Sequence, residues 1–329
     1  MKAVVDDKIP YIREAIEGVM DSVVYLPGNQ ISRSDLLDAE VLIVRTRTRV
    51  DEALLEGTPV RFVATATIGF DHIDAAYLER KGITWTNCPG CNATSVAQYV
   101  KCSLLLLERE HGIRLSQTTL GIVGVGHVGS AVSEAVAPLV GRVLLNDPPR
   151  HLPATLAQLQ QECDIITIHT PLTTEGHHPT YHLFDEAFFR GLPHPIVLLN
   201  AGRGEVVDNA ALEQAIDSGM VRHAIIDTWE HEPNIRLSLL PKVYIATPHI
   251  AGYSADGKAN ASRMVMEALC RWMGRPMTAT ILPPEVDITG SDPLDLYNPL
   301  TDSERLKMAP QDFELQRGHY PVRREKGRA

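Results

Sequence analysis

Basic residues are in the minority in this chain. Lysine and arginine number 31 against 41 aspartates and glutamates, a formal net charge of −10. That balance argues against a general nucleic-acid binder, which needs a basic stripe to neutralise phosphates, and leaves room only for local cationic pockets. Cysteine is scarce as well. Five residues (Cys88, Cys91, Cys102, Cys163 and Cys270), an odd number in a long chain, point to reduced thiols in a cytoplasmic protein, not to a disulfide framework. Long apolar runs are missing. The longest aliphatic run, LLLL at 104–107, falls far short of the roughly 20 residues of a membrane span. The opening MKAVVDDKIP meets two aspartates before an apolar leader core can form. There is no long internal repeat, no low-complexity tract and no heptad run. Cys88-Pro89-Gly90-Cys91 has no second pair with which to hold a metal, so no metal site is expected. It follows an expected strand, ITWTN at 83–87, and reads as a turn carrying two thiols, with Asn92 beside it as a candidate site residue.

The chain does have the length and composition for real cores. Its 329 residues, 44% hydrophobic and 22% charged, suit a soluble protein of about two domains. Short β-branched runs alternate with amphipathic stretches almost to residue 275. Strands are expected at 2–5, 41–44, 61–65, 119–123, 142–146, 164–168, 195–199, 222–226 and 243–246, with helices between most of them, notably 95–110, 208–218 and 254–273. Alternating β and α calls for parallel sheets covered on both faces. A new strand opens near Thr118 just after the 95–110 helix. The economical arrangement is one domain inserted into another, with helices 95–110 and 254–273 as crossing elements and the chemistry in the cleft between. Residues 276–329 are proline-rich and end in a basic run. Leu294, Leu296, Tyr297, Leu300, Phe313, Leu315 and Tyr320 make this stretch apolar enough to be an arm that orders against a second subunit.

The inserted domain begins with a fingerprint. Gly124-Val125-Gly126-His127-Val128-Gly129 follows the strand TLGIV and opens a helical run. The first glycine permits the tight turn, the second admits a pyrophosphate to the backbone, and the third lets helix and strand pack closely. The N–H groups of the helix start then face the anion. Asp147 ends the next strand, placed to accept from a ribose 2′-hydroxyl and repel a 2′-phosphate, so NAD is expected over NADP. Arg150 close by offsets part of that repulsion.

Three later residues each follow an expected strand, which puts them at the carboxyl edge of an open sheet, where ligands bind. Arg203 stands between two glycines in N-A-G-R-G, Glu232 in D-T-W-E-H-E-P, and His249 in T-P-H-I-A-G-Y. Oxidising a 2-hydroxy acid needs a guanidinium to hold the carboxylate in two-pronged fashion. It needs a base near neutrality for the hydroxyl proton, and a carboxylate that fixes the base's tautomer. By position alone, Glu230 and His231 could stand in for their neighbours. A further cationic stretch, V-R-T-R-T-R-V at 44–50, would put Arg45, Arg47 and Arg49 on one face if it stays extended. Three like charges there suit a phosphate, with Thr67 and Gly69 of the neighbouring A-T-A-T-I-G loop adding donors.

Taken together, G-V-G-H-V-G at 124–129, N-A-G-R-G-E-V-V-D at 200–208, D-T-W-E-H-E-P at 227–233 and T-P-H-I-A-G-Y at 247–253 resemble the D-isomer-specific 2-hydroxyacid dehydrogenases. Within that family V-D-D-K-I-P-Y at 5–11, V-R-T-R-T-R-V at 44–50, A-T-A-T-I-G-F-D-H at 64–72, C-P-G-C-N-A at 88–93, N-D-P-P-R at 146–150 and H-I-A-G-Y-S-A-D-G-K at 249–258 are similar to a subfamily acting on a phosphorylated acid. The resemblance covers residues 1–275. It implies oxidation of 4-phospho-D-erythronate to 2-oxo-3-hydroxy-4-phosphobutanoate with NAD, a step of pyridoxal 5′-phosphate synthesis.

The same resemblance implies an α/β fold of two doubly wound parallel-sheet domains, a Rossmann NAD-binding domain inserted into a flavodoxin-like substrate domain. The boundaries are 1–95 for the first substrate segment, 96–253 for the NAD-binding domain, 254–275 for the return helix and 276–329 for a shortened dimerisation arm of a homodimer. Arg203, Glu232 and His249 are implied as catalytic, the resemblance picking Glu232 over Glu230. Gly124, Gly126, His127, Val128, Gly129, Asp147, Thr170, Ala201, Gly202, Arg203, Asp227 and Gly252 are implied for NAD. Arg45, Thr46, Arg47, Thr67 and Tyr253 are left for a small phosphorylated hydroxy acid. Two rivals stand beside this reading: a 3-phosphoglycerate dehydrogenase, and a dinucleotide-sensing scaffold resembling the C-terminal-binding corepressors.

Overall fold

A computed structural model describes residues 1–286 and 292–325. The chain divides into two units, Met1–Asn92 with Ser254–Glu285, and Ala93–Tyr253 with Val286–Ala329. The first holds a five-stranded parallel sheet in the order β2-β1-β3-β4-β5: β1 (Lys2–Asp6), β2 (Ser22–Leu26), β3 (Val41–Val44), β4 (Phe62–Thr65) and β5 (Thr84–Thr86). β2 is an addition to the expected strands; SVVYL is half-buried at the sheet edge and shows neither a clean alternation nor a long β-branched run. The central strands are buried on both faces, which is why they read as unbroken apolar runs. The long helix Ala255–Trp272 packs its Ala259, Val265, Met266 and Leu269 on one face of this sheet.

The second unit carries a six-stranded parallel sheet, β11-β10-β9-β8-β6-β7, formed by β6 (Thr119–Val123), β7 (Arg142–Asn146), β8 (Ile165–Ile168), β9 (Ile196–Asn200), β10 (Val221–Ile226) and β11 (Ile245–Ala246). Successive residues alternate between two cores, as a strand's two-residue period requires. Ile166, Leu198 and Ile226 enter a cluster with Phe184 and Leu212. Ile165, Leu199 and Ile225 enter another with Tyr99, Val100 and Leu104 of the helix Ala93–His111. The strand order reverses between β6 and β8, the switch point at which such sheets bind ligands.

Register decides what meets there. Asn146, Val123, Ile168, Asn200, Ile226 and Ala246 pair in one continuous row across the strand ends. The residues that follow each of them therefore emerge side by side. These are Asp147, the glycine loop, His169 and Thr170, the 201–203 loop, Asp227, and the turn carrying His249.

The C-terminal stretch is ordered over its described residues. Its described residues order against their own chain. The helix Pro299–Met308 packs beside β11, where Ser303 Oγ accepts from Ala246 N at 2.9 Å and Lys307 Nζ donates to Val243 O at 2.6 Å. Tyr297, Leu306 and Phe313 enter the cores of the second unit, while Leu315 stays exposed. Leu294, Tyr297, Leu300 and Phe313, four of the side chains that suggested an arm, pack within their own unit. Among the described residues no helix is long and apolar enough to cross a membrane.

Candidate active site

The glycine loop fits a dinucleotide phosphate. Gly124 has φ +85°, and a Cβ there would lie 2.8 Å from the backbone of His169 and Thr170. A Cβ on Gly129 would lie 2.0 Å from Gly124 O, so helix and strand touch through this residue. A Cβ on Gly126 would meet only open space. That is the side on which His127 starts a ten-residue helix, ending at Val136, with no capping side chain; its first N–H groups are left for an anion. Asp147 reaches back, its Oδ2 accepting from Val125 N at 2.8 Å, so the loop and the carboxylate are held as one piece. Beside them the buried Thr170 Oγ1 and His169 Nδ1 have no partner, polar atoms that a bound ligand would satisfy. Desolvation pushes His169 down to about 3, so its ring is neutral. These residues fit a bound NAD.

The loop after β9 holds a cation, Arg203. Asn200 is 1% exposed; its Oδ1 accepts from Gly202 N at 3.1 Å and its Nδ2 donates to Arg203 O at 3.0 Å. Both ends of the loop are pinned by this one amide. Arg203 is half-buried; its Nη1 donates to Gly202 O at 2.9 Å, and among the described residues no carboxylate lies within 4.0 Å of it. Gly204 then runs flush against the next loop: a Cβ there would sit 1.8 Å from Trp229 O. The second glycine of N-A-G-R-G is thus a packing requirement that locks the arginine loop to the segment bearing Glu232.

Glu232 and His249 form a pair. Glu232 Oε1 accepts from Trp229 N at 2.8 Å, and its Oε2 lies 2.8 Å from His249 Nδ1. The carboxylate therefore assigns the ring proton to Nδ1 and leaves Nε2 as the acceptor. Geometry separates the two glutamates. Glu230 is taken by His182 Nε2 at 2.6 Å and Asn209 N at 2.8 Å, and the intervening His231 turns the chain at φ +61°. His249 itself sits at φ +55°, a left-handed conformation that side chains other than glycine adopt only under constraint. Asp227 supplies part of that constraint. It is buried, and it accepts from Thr247 Oγ1 at 2.7 Å, Ile250 N at 2.8 Å and Ala251 N at 3.0 Å. Its backbone carbonyl takes His249 N at 2.8 Å. Burial pushes its carboxyl up and these donors pull it back. The side chain that the resemblance assigns to NAD thus organises the histidine turn.

Sequence reasoning misses the residues beneath. Trp229 Nε1 donates to Thr247 O at 2.9 Å, and Tyr99 OH lies 2.9 Å from Thr247 Oγ1. From the tail, the Arg317 guanidinium lies 5.9 Å from the centre of the Tyr253 ring, the ring that follows Gly252. Asn200, Gly204 and Trp229 lie inside the motifs and could have been weighed from them; Tyr99 and Arg317 carry no local signal.

In the first unit the arginine stretch is not extended. β3 ends at Val44 and the chain turns, with Thr48 N donating to Arg45 O at 3.3 Å. Arg45 pairs through Nε and Nη2, both at 3.2 Å, with the fully buried Asp6, and Arg49 pairs with Asp51. The anion that three arginines were expected to await is, for Arg45, a carboxylate from β1. Thr67 Oγ1 lies 2.7 Å from Thr65 Oγ1 and donates to Gly69 O at 2.8 Å. Cys88 and Cys91 are buried and unbridged at a turn, and burial raises the Cys88 thiol well above its usual range. Asn92 Oδ1 beside them is buried without a partner.

Residues 98–251 match the family described as D-isomer specific 2-hydroxyacid dehydrogenase, NAD binding domain. A protein of Bacteroides fragilis named erythronate-4-phosphate dehydrogenase is 52% identical over 340 residues, covering 99% of this chain and 98% of the relative. One of the same name from Edwardsiella ictaluri is 44% identical over 352 residues, covering 99% and 93%. Among solved structures, D-lactate dehydrogenase from Aquifex aeolicus, complexed with NAD and lactic acid, superposes with a TM-score of 0.68 at 24% identity. It covers 83% of this chain and 96% of that one, a likeness of fold.

Proposed function

Because the chain belongs to the D-isomer specific 2-hydroxyacid dehydrogenases, and within them to the erythronate-4-phosphate dehydrogenases, we propose that it oxidises 4-phospho-D-erythronate to 2-oxo-3-hydroxy-4-phosphobutanoate with NAD. NAD, when bound, supplies the acceptor for the hydride that leaves the carbon bearing the hydroxyl. The glycine loop and the helix start at His127 hold its pyrophosphate, with Thr170, Ala201, Gly202 and Gly252 beside it. Asp147 accepts from the ribose hydroxyl and disfavours a 2′-phosphate. Arg203 grips the substrate carboxylate through two parallel N–H···O bonds. His249 Nε2 takes the hydroxyl proton, and Glu232 keeps that nitrogen free and favours the imidazolium as the proton arrives. Thr46, Arg47, Thr67 and Tyr253 are assigned to the phosphorylated end. Arg45 is set aside as the partner of Asp6.

The observation that carries the proposal is the 2.8 Å Glu232–His249 pair on the sheet edge that also presents Arg203, which has no carboxylate within 4.0 Å among the described residues. The test is NADH formation by the purified protein from 4-phospho-D-erythronate, set against 3-phosphoglycerate. Faster turnover of 3-phosphoglycerate would move the assignment to that acid. No NADH from any hydroxy acid, together with a stable protein partner, would point to a dinucleotide-sensing scaffold. A cytoplasmic homodimer belongs to the same proposal. The exposed Met308, Leu315 and Val322 of the tail offer an apolar surface for a second copy, and sedimentation measures it.

A further inference from the structure

The tail returns a buried cation to the histidine turn. Arg323 is 4% exposed and, among the described residues, has no carboxylate within 4.0 Å. Its Nη2 donates to Ala251 O and Ser95 Oγ, and to Ser95 O at 3.4 Å; Nη1 reaches Ile250 O at 3.5 Å. The guanidinium lies 4.2 Å from the centre of the Tyr297 ring and 5.9 Å from that of Tyr320. The nearby Asp302 carboxylate instead takes the hydroxyls of Tyr297 and Tyr320, at 3.2 and 2.7 Å. The following residues are bonded to the same helix start: Arg324 O accepts from Gln98 Nε2 at 2.9 Å, and Glu325 accepts from Thr94 Oγ1.

A guanidinium buried without an anion carries a desolvation penalty of several kcal/mol. Here neutral oxygens and two aromatic faces offset part of it, while Nε is buried without a hydrogen-bond partner. The place of those oxygens is what matters. Ile250 and Ala251 are the two residues after His249. Their N–H groups are held by Asp227 and their carbonyls by Arg323, so the peptides that follow the strained histidine are clamped from both sides. Ser95 Oγ donates to Ala251 O at 2.9 Å and completes the carbonyl side.

We infer that Arg323 is a positioning residue for His249: with Ser95 it fixes the carbonyl side of the 249–251 turn and so keeps the imidazole on Glu232. The inference rests on the proposed role of His249, and its test includes a readout that does not. In Arg323→Met, which fills much of the volume without donors, kcat falls at least about tenfold while KM for NAD stays within about twofold. Arg323→Lys, which can still reach one carbonyl, recovers part of kcat. Ser95→Ala gives a smaller fall in the same direction and stands in if Arg323→Met does not fold. Hydrogen exchange read by mass spectrometry shows the amides of 249–251 exchanging at least about tenfold faster in the variants, with amides of β6 and β8 unchanged. Should wild-type protein oxidise no hydroxy acid, the functional reading fails while the exchange experiment still decides the clamp. Wild-type exchange at 249–251 in a folded variant overturns the inference. So does a rise spread evenly over the unit, which marks a general stabiliser, or an unchanged kcat in an active enzyme.

Discussion

Replacing Glu232 by glutamine changes one oxygen into an NH2 group and leaves the shape intact. The geometry decides which way the amide faces. Trp229 N is a fixed donor 2.8 Å from one oxygen of Glu232, so the glutamine carbonyl has to take that side. The NH2 group then faces His249 Nδ1 at the position now 2.8 Å away. A donor there turns Nδ1 into an acceptor and moves the ring proton to Nε2, the nitrogen proposed to accept the hydroxyl proton. Restoring the productive tautomer sets two donors against each other and leaves one unsatisfied, at about 1–3 kcal/mol. The carboxylate's stabilisation of the imidazolium, about 2 kcal/mol for a charge-assisted bond at a partly exposed site, is lost as well. The sum, about 3–5 kcal/mol, corresponds to a fall of roughly 10²–10⁴ in kcat. The assay is the initial rate of NADH formation, with KM for NAD measured separately and expected to hold within about threefold. Glu230→Gln is the internal control: it disturbs the His182 contact and leaves the pair alone, so its kcat stays within about threefold of wild type. A Glu232→Gln enzyme with near-normal kcat, or a Glu230→Gln enzyme equally impaired, would refute the assignment of the tautomer.

Arg203→Lys keeps the charge and loses the two-pronged grip, so kcat/KM for the hydroxy acid falls at least about tenfold, or 1.4 kcal/mol; unchanged kinetics would mean the residue only shapes its loop. Gly204→Ala drives a methyl into Trp229 O and should lower stability by about 3 kcal/mol or more in urea unfolding, with loss of activity; a wild-type midpoint contradicts the close approach. Asp147→Asn keeps an acceptor for Val125 N but removes the charge, so the preference for NAD over NADP in kcat/KM drops at least about tenfold. Glu213 is held down to about 2, first by Arg236, with Lys242 and Ser238 adding to it. Its folded-state pKa lies below the unfolded one, so its contribution is complete above about pH 4.3 and fades as pH falls toward 2. Discounted for the half-exposed Arg236, Glu213→Gln costs about 1–2 kcal/mol at pH 7, and the gap to wild type closes between pH 4 and 2; a gap that persists at pH 2 removes the ion pair as its cause.

The sheet explains why most of the candidate site is legible in the chain. Each chemical motif directly follows a strand, and parallel register aligns the strand ends in one row, so N-A-G-R-G, D-T-W-E-H-E-P and T-P-H-I-A-G-Y emerge as neighbours without any long-range information. The alternation that places Ile165 and Ile166 in opposite cores is equally local. Where the reading goes astray, the deciding partner is remote. The run V-R-T-R-T-R-V has the alternation of a strand, but Arg45 answers to Asp6, 39 residues earlier, and the chain turns at that ion pair.

Arg323 is the extreme of the same problem. A carboxylate partner leaves a trace in a sequence, because only two residue types provide one. The acceptors of Arg323 are mostly backbone carbonyls, which every residue has, and they lie 72 and 228 positions away. Nothing in Y-P-V-R-R-E distinguishes an arginine destined for burial from its solvated neighbour. The docking of Leu306 beside β11 and of Tyr297 against Tyr99 brings the tail back toward Ala251 and Ser95. It follows that a change in the tail's apolar anchors should act on the histidine turn through Arg323. Leu306→Ala, by loosening that docking, should reproduce the faster exchange of 249–251 without touching any group that the substrate meets.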